Sequence, residues 1–211
     1  MQNLRYNYRI YPSDEQLSLL KQAGGSCRYI WNYFLAKEMA QYEQDNTFNF
    51  VSKNSKDLTS LKQNIEWLKI PPSTALQQTL RNLDHSLKQS FKNANSRKGF
   101  PTFKKKKFNS TSFNLTMISS NNFINDNIFK IPKIGEVKIK LHRKPPSDFK
   151  SCAVKQKAGK WYVSFVVKKE CKQKQPISSA IGIDMNSKDL VVTSESEVIK
   201  NPKFYSKTKS R

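Results

Sequence analysis

Ala180-Ile181-Gly182-Ile183-Asp184-Met185-Asn186, followed by Lys188-Asp189-Leu190-Val191-Val192-Thr193, is the stretch on which the reading of this chain turns. An apolar strand start runs into a carboxylate, and a second strand-like run follows at once. A carboxylate ending an apolar strand, with small Gly182 two residues before it, can bind a hard divalent cation through oxygen. The pattern alone is equally compatible with an aspartate that closes the turn of a hairpin.

The rest of the chain says what such a carboxylate would work on. Lys and Arg number 38 against 16 Asp and Glu, a net charge of +22 over 211 residues. That length allows one or two domains with a sizeable core. A hydrophobic fraction of 36%, with 13 Phe and 8 Tyr, argues for folded material rather than a disordered basic tail. Such a charge excess points to a polyanion, with nucleic acid ahead of an anionic membrane surface. No apolar run approaches the ~18 residues of a spanning helix. The N-terminus alternates charged and apolar residues and does not read as a signal peptide. Cys27, Cys152 and Cys171 are far apart and form no CxxC pair, so no zinc site is expected and the cytoplasm is the expected compartment.

Leu4, Tyr6, Tyr8 and Ile10 alternate with polar residues and predict a strand ended by Tyr11-Pro12. Ser13 to Gln16 reads as a capping box opening a helix that Gly24-Gly25 would break. A second helix carries Ile30, Tyr33 and Phe34. Residues 46–60 read as a loop with a short helix near Leu58. After Pro71-Pro72, Ser73 or Thr74 can cap a helix with Leu76, Leu80, Leu83, Leu87 and Phe91 on one face. From Ser112 to Lys169 the pattern is strand-like, with a hairpin turn at Ala158-Gly159, and suggests a small barrel. Glu170 to Ser179 reads as a linker.

Two regions qualify as nucleic-acid contacts. His85 through Asn125 contains no acidic residue, yet holds Lys88, Lys92, Arg97, Lys98, Lys104, Lys105, Lys106 and Lys107, with Phe100, Phe103 and Phe108 interleaved. Lysines can track phosphates and the rings can stack on bases, although a charge run is usually a solvated face. Gln77, Gln78, Arg81 and Asn82 share the polar side of the Leu-rich helix. Gln and Asn can grip adenine and Arg can grip guanine, though an ordinary solvent face would look the same. Tyr29, Trp31 and Tyr33 read as packing residues, and His85 and His142 have no partner at ligand spacing.

Seven segments in order resemble one family: YNYRIYPSDEQLSLL, CRYIWNYFLAKE, STALQQTLRNLDHSLKQSFKN, GFPTFKKKK, IPKIGEVKIKLHR, KWYVSFVV and IGIDMNSKDLVVTSES. The chain is similar to TnpB, or OrfB, proteins: transposon-encoded RNA-guided DNA endonucleases. The resemblance implies an α+β fold: a small wedge-type β-barrel with an inserted helical lobe, then the first strands of a truncated RuvC or RNase H-like domain. The implied boundaries are a first barrel strand at 1–12, a helical recognition lobe with its basic loop at 13–111, the barrel at 112–170, a linker at 171–180 and the nuclease start at 181–211. The implied partners are a guide RNA and double-stranded target DNA bearing a short adjacent motif, with no membrane. Base pairing by the guide then reads the target. Asp184 falls on the first catalytic, Mg²⁺-binding carboxylate.

Asn186 stands where the family usually has glycine, and the later Glu and Asp ligands and paired CxxC motifs are not in the sequence. One Asp cannot clamp two metal ions, so the expectation is weak or absent Mg²⁺ binding and no cleavage by this chain alone. A nuclease-dead RNA-guided repressor, half of a split nuclease completed in trans, and a remnant without function are the other readings.

Overall fold

The computed structural model describes residues 2–49, 51–92, 100–106, 111–145, 147, 149–170 and 179–209. Two compact units divide the chain, Met1–Glu170 and Cys171–Arg211. The first unit pairs a large antiparallel sheet with a helical layer.

Strand β1 (Gln2–Tyr11) opens the chain, and its alternating aromatic and polar residues place Tyr8 and Ile10 in the core. Helix α1 (Asp14–Asp45) follows, with Ser13 and Gln16 forming the expected capping box. Gln16 does a second job, donating its Nε2 to the Glu136 carbonyl at 2.8 Å. Then come α2 (Val51–Asn64), a 3₁₀ turn (Glu66–Lys69) and α3 (Ser73–Lys92). The strands β2 (Ser112–Thr116), β3 (Phe123–Asn125), β4 (Ile128–Ile131), β5 (Gly135–Lys140), β6 (Ser151–Lys157) and β7 (Lys160–Lys169) complete the unit. Their order across the sheet is β2-β6-β7-β1-β5-β4-β3. The turn between β6 and β7 is Ala158-Gly159, both at positive φ, as the sequence suggests.

Edge strand β3 curls back over the centre of the sheet. Its Phe123 ring lies 5.6 Å from Phe165 of β7 and 6.1 Å from Phe149. Phe149 in turn sits 4.4 Å from Phe165. Fully burying such a ring contributes about 1.5–3 kcal/mol, and these contacts tie the edge strand to the middle of the sheet. In the helical layer α1 packs on α3, and α3 on β2. Leu76, Leu80, Leu83 and Leu87 are all buried there, as their spacing predicts.

Two sequence expectations fail. Gly24-Gly25 does not break the helix: α1 runs through it. The reason is tertiary, since a Cβ on Gly24 would lie 2.2 Å from Thr111 Cγ2. The glycine lets the chain entering β2 touch the helix. Residues 46–60 are not mainly loop either, because α2 starts at Val51. Its anchor is polar and so invisible to apolar periodicity. Fully buried Glu38 accepts from the Asn49 backbone N–H at 2.8 Å and from Asn54 Nδ2 at 2.7 Å.

The second unit is a three-stranded antiparallel sheet, β8 (Ile183–Asp184), β9 (Asp189–Thr193) and β10 (Val198–Lys200), in the order β10-β9-β8. A short helix α4 (Phe204–Lys209) follows. Asn186 Oδ1 accepts from the Lys188 and Asp189 amides at 3.0 and 2.8 Å, which shapes the turn after β8.

Gly24→Ala should destabilise the protein by ~1–2 kcal/mol, although alanine favours a helix by up to ~1 kcal/mol. Urea unfolding measures it. Adding Thr111→Ser, which removes the clashing methyl, should restore most of the loss.

Candidate nucleic-acid interface

Helix α3 presents two faces besides its buried leucines. Gln77, Arg81, His85 and Lys88 are exposed, at spacings of four, four and three. Lys88 is also paired with Asp84 on its own helix at 2.7 Å. Gln78 and Asn82 are half-buried and turn toward the sheet. Gln78 Nε2 donates to Asn82 Oδ1 at 3.0 Å, which fixes the two amides relative to each other. That bond leaves Gln78 Oε1 and Asn82 Nδ2, an acceptor and a donor, the combination a bidentate base contact needs.

Both amides line concavities between α3 and β2. A cavity of about 340 Å³ is bounded by Gly24, Cys27 and Arg28 of α1, Thr79 and Asn82 of α3, Lys104, and the start of β2. Beside it a cavity of about 200 Å³ holds Gln78, Arg5, Thr116 and Ser164, and Asn114 lines both. The cleft is therefore amide-rich, with cations and no carboxylate among these residues. Burial pushes the Cys27 thiol up to about 11 and that of Cys152 up to about 12, so neither is a reactive thiolate.

The basic segment is held against the helical layer. Phe100 packs edge-on against Tyr42 at 5.6 Å and beside Phe48 at 5.8 Å. The Trp31 indole N–H donates to the Thr102 carbonyl at 3.1 Å. Asn32 grips the Lys104 backbone twice, donating to its carbonyl at 3.0 Å and accepting from its N–H at 2.8 Å. The Lys104 ammonium lies 3.6 Å from the Trp31 ring centroid. Burial lowers its pKa, because the ammonium is partly withdrawn from water. Residues 100–104 thus form a strap along α1, from which Phe103 (47% exposed), Lys105 and Lys106 face solvent.

The structure therefore separates the sequence candidates. Gln78 joins the cleft, Gln77 and Arg81 stand outside it, and Lys104 lines it while Lys105 and Lys106 project from the strap. Lys92 lies in the last turn of α3, and Arg97, Lys98 and Lys107 fall outside the described residues. Trp31 is a packing residue as expected, but its indole N–H and the Asn32 clamp had no sequence signal. Neither had Arg28, which α1 brings beside α3, nor Asn114 and Arg5, which the sheet register brings there. In the second unit Asp184 is exposed and its backbone pairs with Val192. Among the described residues no three of His, Cys, Asp and Glu come together as a metal-binding group. Among them too, no helix is long and apolar enough to cross a membrane.

An α+β protein with a cationic, amide-lined cleft is the class this geometry defines. Comparisons then give what the chain is similar to. Residues 1–47 match the helix-turn-helix domain profile of the OrfB and IS605 type, although here that stretch is one strand and one unbroken helix. "Putative RNA-guided DNA endonuclease InsQ" of Escherichia coli (strain K12) is 28% identical, over 98% of this chain and 51% of that protein. A "Putative RNA-guided DNA endonuclease" of Streptomyces pristinaespiralis is also 28% identical, over 98% of this chain and 52% of its own length. These are the proteins the chain is similar to, and it spans about half the length of the curated relatives it matches. A CRISPR-Cas12f ternary-complex structure aligns with 93% of this chain and 50% of its own, at 14% identity and a TM-score of 0.39.

If Asn32 is the clamp on the strap, Asn32→Ala should speed tryptic cleavage after Lys105 and Lys106 with no change in far-ultraviolet circular dichroism. Asn32→Asp, which keeps only the acceptor, should fall between the two.

Proposed function

We propose that this chain binds a guide RNA and a double-stranded DNA carrying a short adjacent motif, as the nucleic-acid-gripping portion of an RNA-guided DNA endonuclease. The observation that carries the proposal is the cleft between α3 and β2, where hydrogen-bonded Gln78 and Asn82 face Asn114 amid Arg28, Lys104 and Arg5. Amides and guanidinium groups read base edges, and lysines neutralise phosphates. The names of the two curated relatives support the choice of partners. On this reading the curled sheet is the wedge-type barrel, α1 to α3 form the recognition lobe, and residues from Ile181 open a RuvC-like domain.

The adjacent motif is then read by Gln78 in the cleft, with Gln77 or Arg81 at its rim. Losing one bidentate contact costs about 1–3 kcal/mol of discrimination. Alanine at Gln77, Gln78 or Arg81, assayed against a randomised motif library, should relax preference at one or two positions. Equal weakening across the library would assign α3 to backbone contact and overturn this reading. Lys105→Ala with Lys106→Ala should weaken binding alike for all sequences and flatten its salt dependence, because each neutralised phosphate releases counterions.

Asp184 is proposed as the Mg²⁺ ligand, holding the ion weakly because among the described residues it is not joined by the two further ligands that would complete a metal-binding group. A hard cation of this kind takes one or two carboxylates and fills its other positions with water or phosphate oxygens, and an exposed carboxylate at a strand end fits that requirement. The ion would polarise a phosphate and activate water. With nucleic acid bound, Mn²⁺ used as a paramagnetic substitute should broaden the amide signals of Asp184 and Val192. Asp184→Asn should abolish the broadening while leaving RNA affinity unchanged.

A further inference from the structure

The seam between β6 and β7 closes over only part of β7. The two strands pair from Lys157 opposite Lys160 to Ala153 opposite Ser164, while β7 runs on to Lys169. On its other side β1 stays paired with β7 all the way to Lys169. β6 instead follows β2, its Cys152 and Ser151 lying opposite Leu115 and Thr116. The chain just before β6 leaves in the same direction, since the Lys150 carbonyl accepts from the Ile118 N–H at 3.3 Å. The sheet therefore splits after Ser164, and among the described residues no strand covers the β6 side of residues 165–169.

Alternation says which backbone groups face that opening. Gln156 donates its N–H to the Thr111 carbonyl at 2.8 Å, toward β2, so the odd-numbered residues of β6 turn theirs toward β7. In an antiparallel pair, opposite residues exchange both hydrogen bonds or neither. Ser164, opposite Ala153, thus turns its N–H and carbonyl toward β6. Val166 and Lys168, two and four residues on, point theirs the same way with no β6 residue opposite them. An unpaired strand edge of this kind is a template for another extended segment. At about 3.4 Å per residue, the stretch 165–169 takes a strand of roughly four or five residues.

The space beside this edge has room and a chemical character. A cavity of about 760 Å³ lies between the end of β7 and the 144–150 segment. Tyr6, Phe149 and Val167 give it apolar walls, and Lys144, Lys150 and Lys168 supply cations. Phe149 packs on Phe165 at 4.4 Å, which backs the groove with aromatic rings. Val166 stands at its lip, 48% exposed. Among the described residues none of the three lysines has a carboxylate partner. Lysines at a strand edge keep copies of a chain carrying +22 apart. The same lysines attract a segment of opposite charge. An extended acidic peptide meets both demands, with main-chain groups for the edge and alternate side chains for the walls and the lysines. A sugar-phosphate backbone would satisfy the lysines but has no N–H and carbonyl repeat to match Val166 and Lys168.

We infer that the open edge of β7 at Val166 and Lys168 docks an extended acidic segment of a protein partner. The segment adds to the sheet as one more strand, with apolar side chains toward Tyr6 and Phe149 and carboxylates toward Lys144, Lys150 and Lys168. The site does not depend on the nucleic-acid reading of the chain.

The test uses the full chain and a fluorescein-labelled peptide of alternating glutamate and valine, about seven residues long to overhang the edge. Two versions carry backbone N-methyl groups, one on the glutamates and one on the valines. Only one alternate set of N–H groups can face β7. One version should therefore bind about ten-fold more weakly, through two lost main-chain hydrogen bonds, and the other within about two-fold of the parent peptide. Hydrogen exchange should slow at the Val166 and Lys168 amides when the peptide binds. The Phe165 and Val167 amides, already paired with β1, should stay slow throughout. Val166→Pro removes one edge N–H and leaves the β1 ladder whole, so it should weaken the peptide about five-fold or more with Tm unchanged. Lys144→Gln with Lys150→Gln should weaken it too and lower its salt dependence. Equal affinity of the two methylated peptides would mean charge attraction alone and overturns the site. Slow Val166 and Lys168 amides in the unbound chain overturn it as well, because the edge would already be covered. If an unstructured RNA protects the same two amides, the groove is a nucleic-acid contact and the peptide assignment falls.

Discussion

Residues 2–10 pair in continuous antiparallel register with residues 161–169, and everything else in the first unit is arranged around that ladder. It puts the first strand at the middle of the sheet, between β7 and β5. The helical layer must therefore leave from β1 and return to β2 at the far edge. That route carries α3 over β2 and brings Gln78 and Asn82 beside Asn114. The cleft is a consequence of the connectivity: shift the β1 register by one residue and Tyr8 and Ile10 would trade places with Arg9 and Tyr11. Tyr8 also spans the core to the far loop, its hydroxyl donating to the Lys144 carbonyl at 3.2 Å.

The helical layer is held by a mixture of apolar and polar contacts whose roles differ. Leucine packing on α1 and α3 supplies the bulk of the free energy in a non-directional way. Position is fixed by a few directional bonds instead. Glu38 anchors α2, Asn32 anchors the strap, and Gln16 ties the start of α1 to the sheet. Each uses an amide or carboxylate to satisfy backbone groups that loops would otherwise leave to water. A buried carboxylate such as Glu38 is tolerated only because donors surround it.

What could be read beforehand follows from this division. Alternation at Tyr6, Tyr8 and Ile10, the Ser13 capping box and the leucine spacing of α3 are local signals, and the structure bears all three out. The unbroken helix at Gly24-Gly25 and the helix at Val51 depend on Thr111 and Glu38, far away in sequence, and local pattern misses both. For the interface, composition singled out the acid-free lysine segment and the polar face of α3. It could not say that Gln78 and Arg81 point to different places, because that depends on which side of α3 meets β2. The clamping role of Asn32 has no counterpart in any spacing rule, since its partner is a backbone 72 residues away.

The β1–β7 ladder also sets a timetable for synthesis on the ribosome. The first strand emerges early, but its partner is completed only at Lys169. At ~5–20 residues per second the wait is roughly 10–30 seconds. Throughout it the β7-facing edge of β1 at Tyr6 and Tyr8 stands unpaired on a nascent chain rich in positive charge, in the presence of the ribosome's own RNA. The helices between them are local structures that can form in the meantime, so the helical layer is ready before the sheet is complete. An early strand whose mate comes last makes this unit dependent on finishing translation, and a chain interrupted before residue 160 would lack the strand that joins β1-β5-β4-β3 to β2-β6.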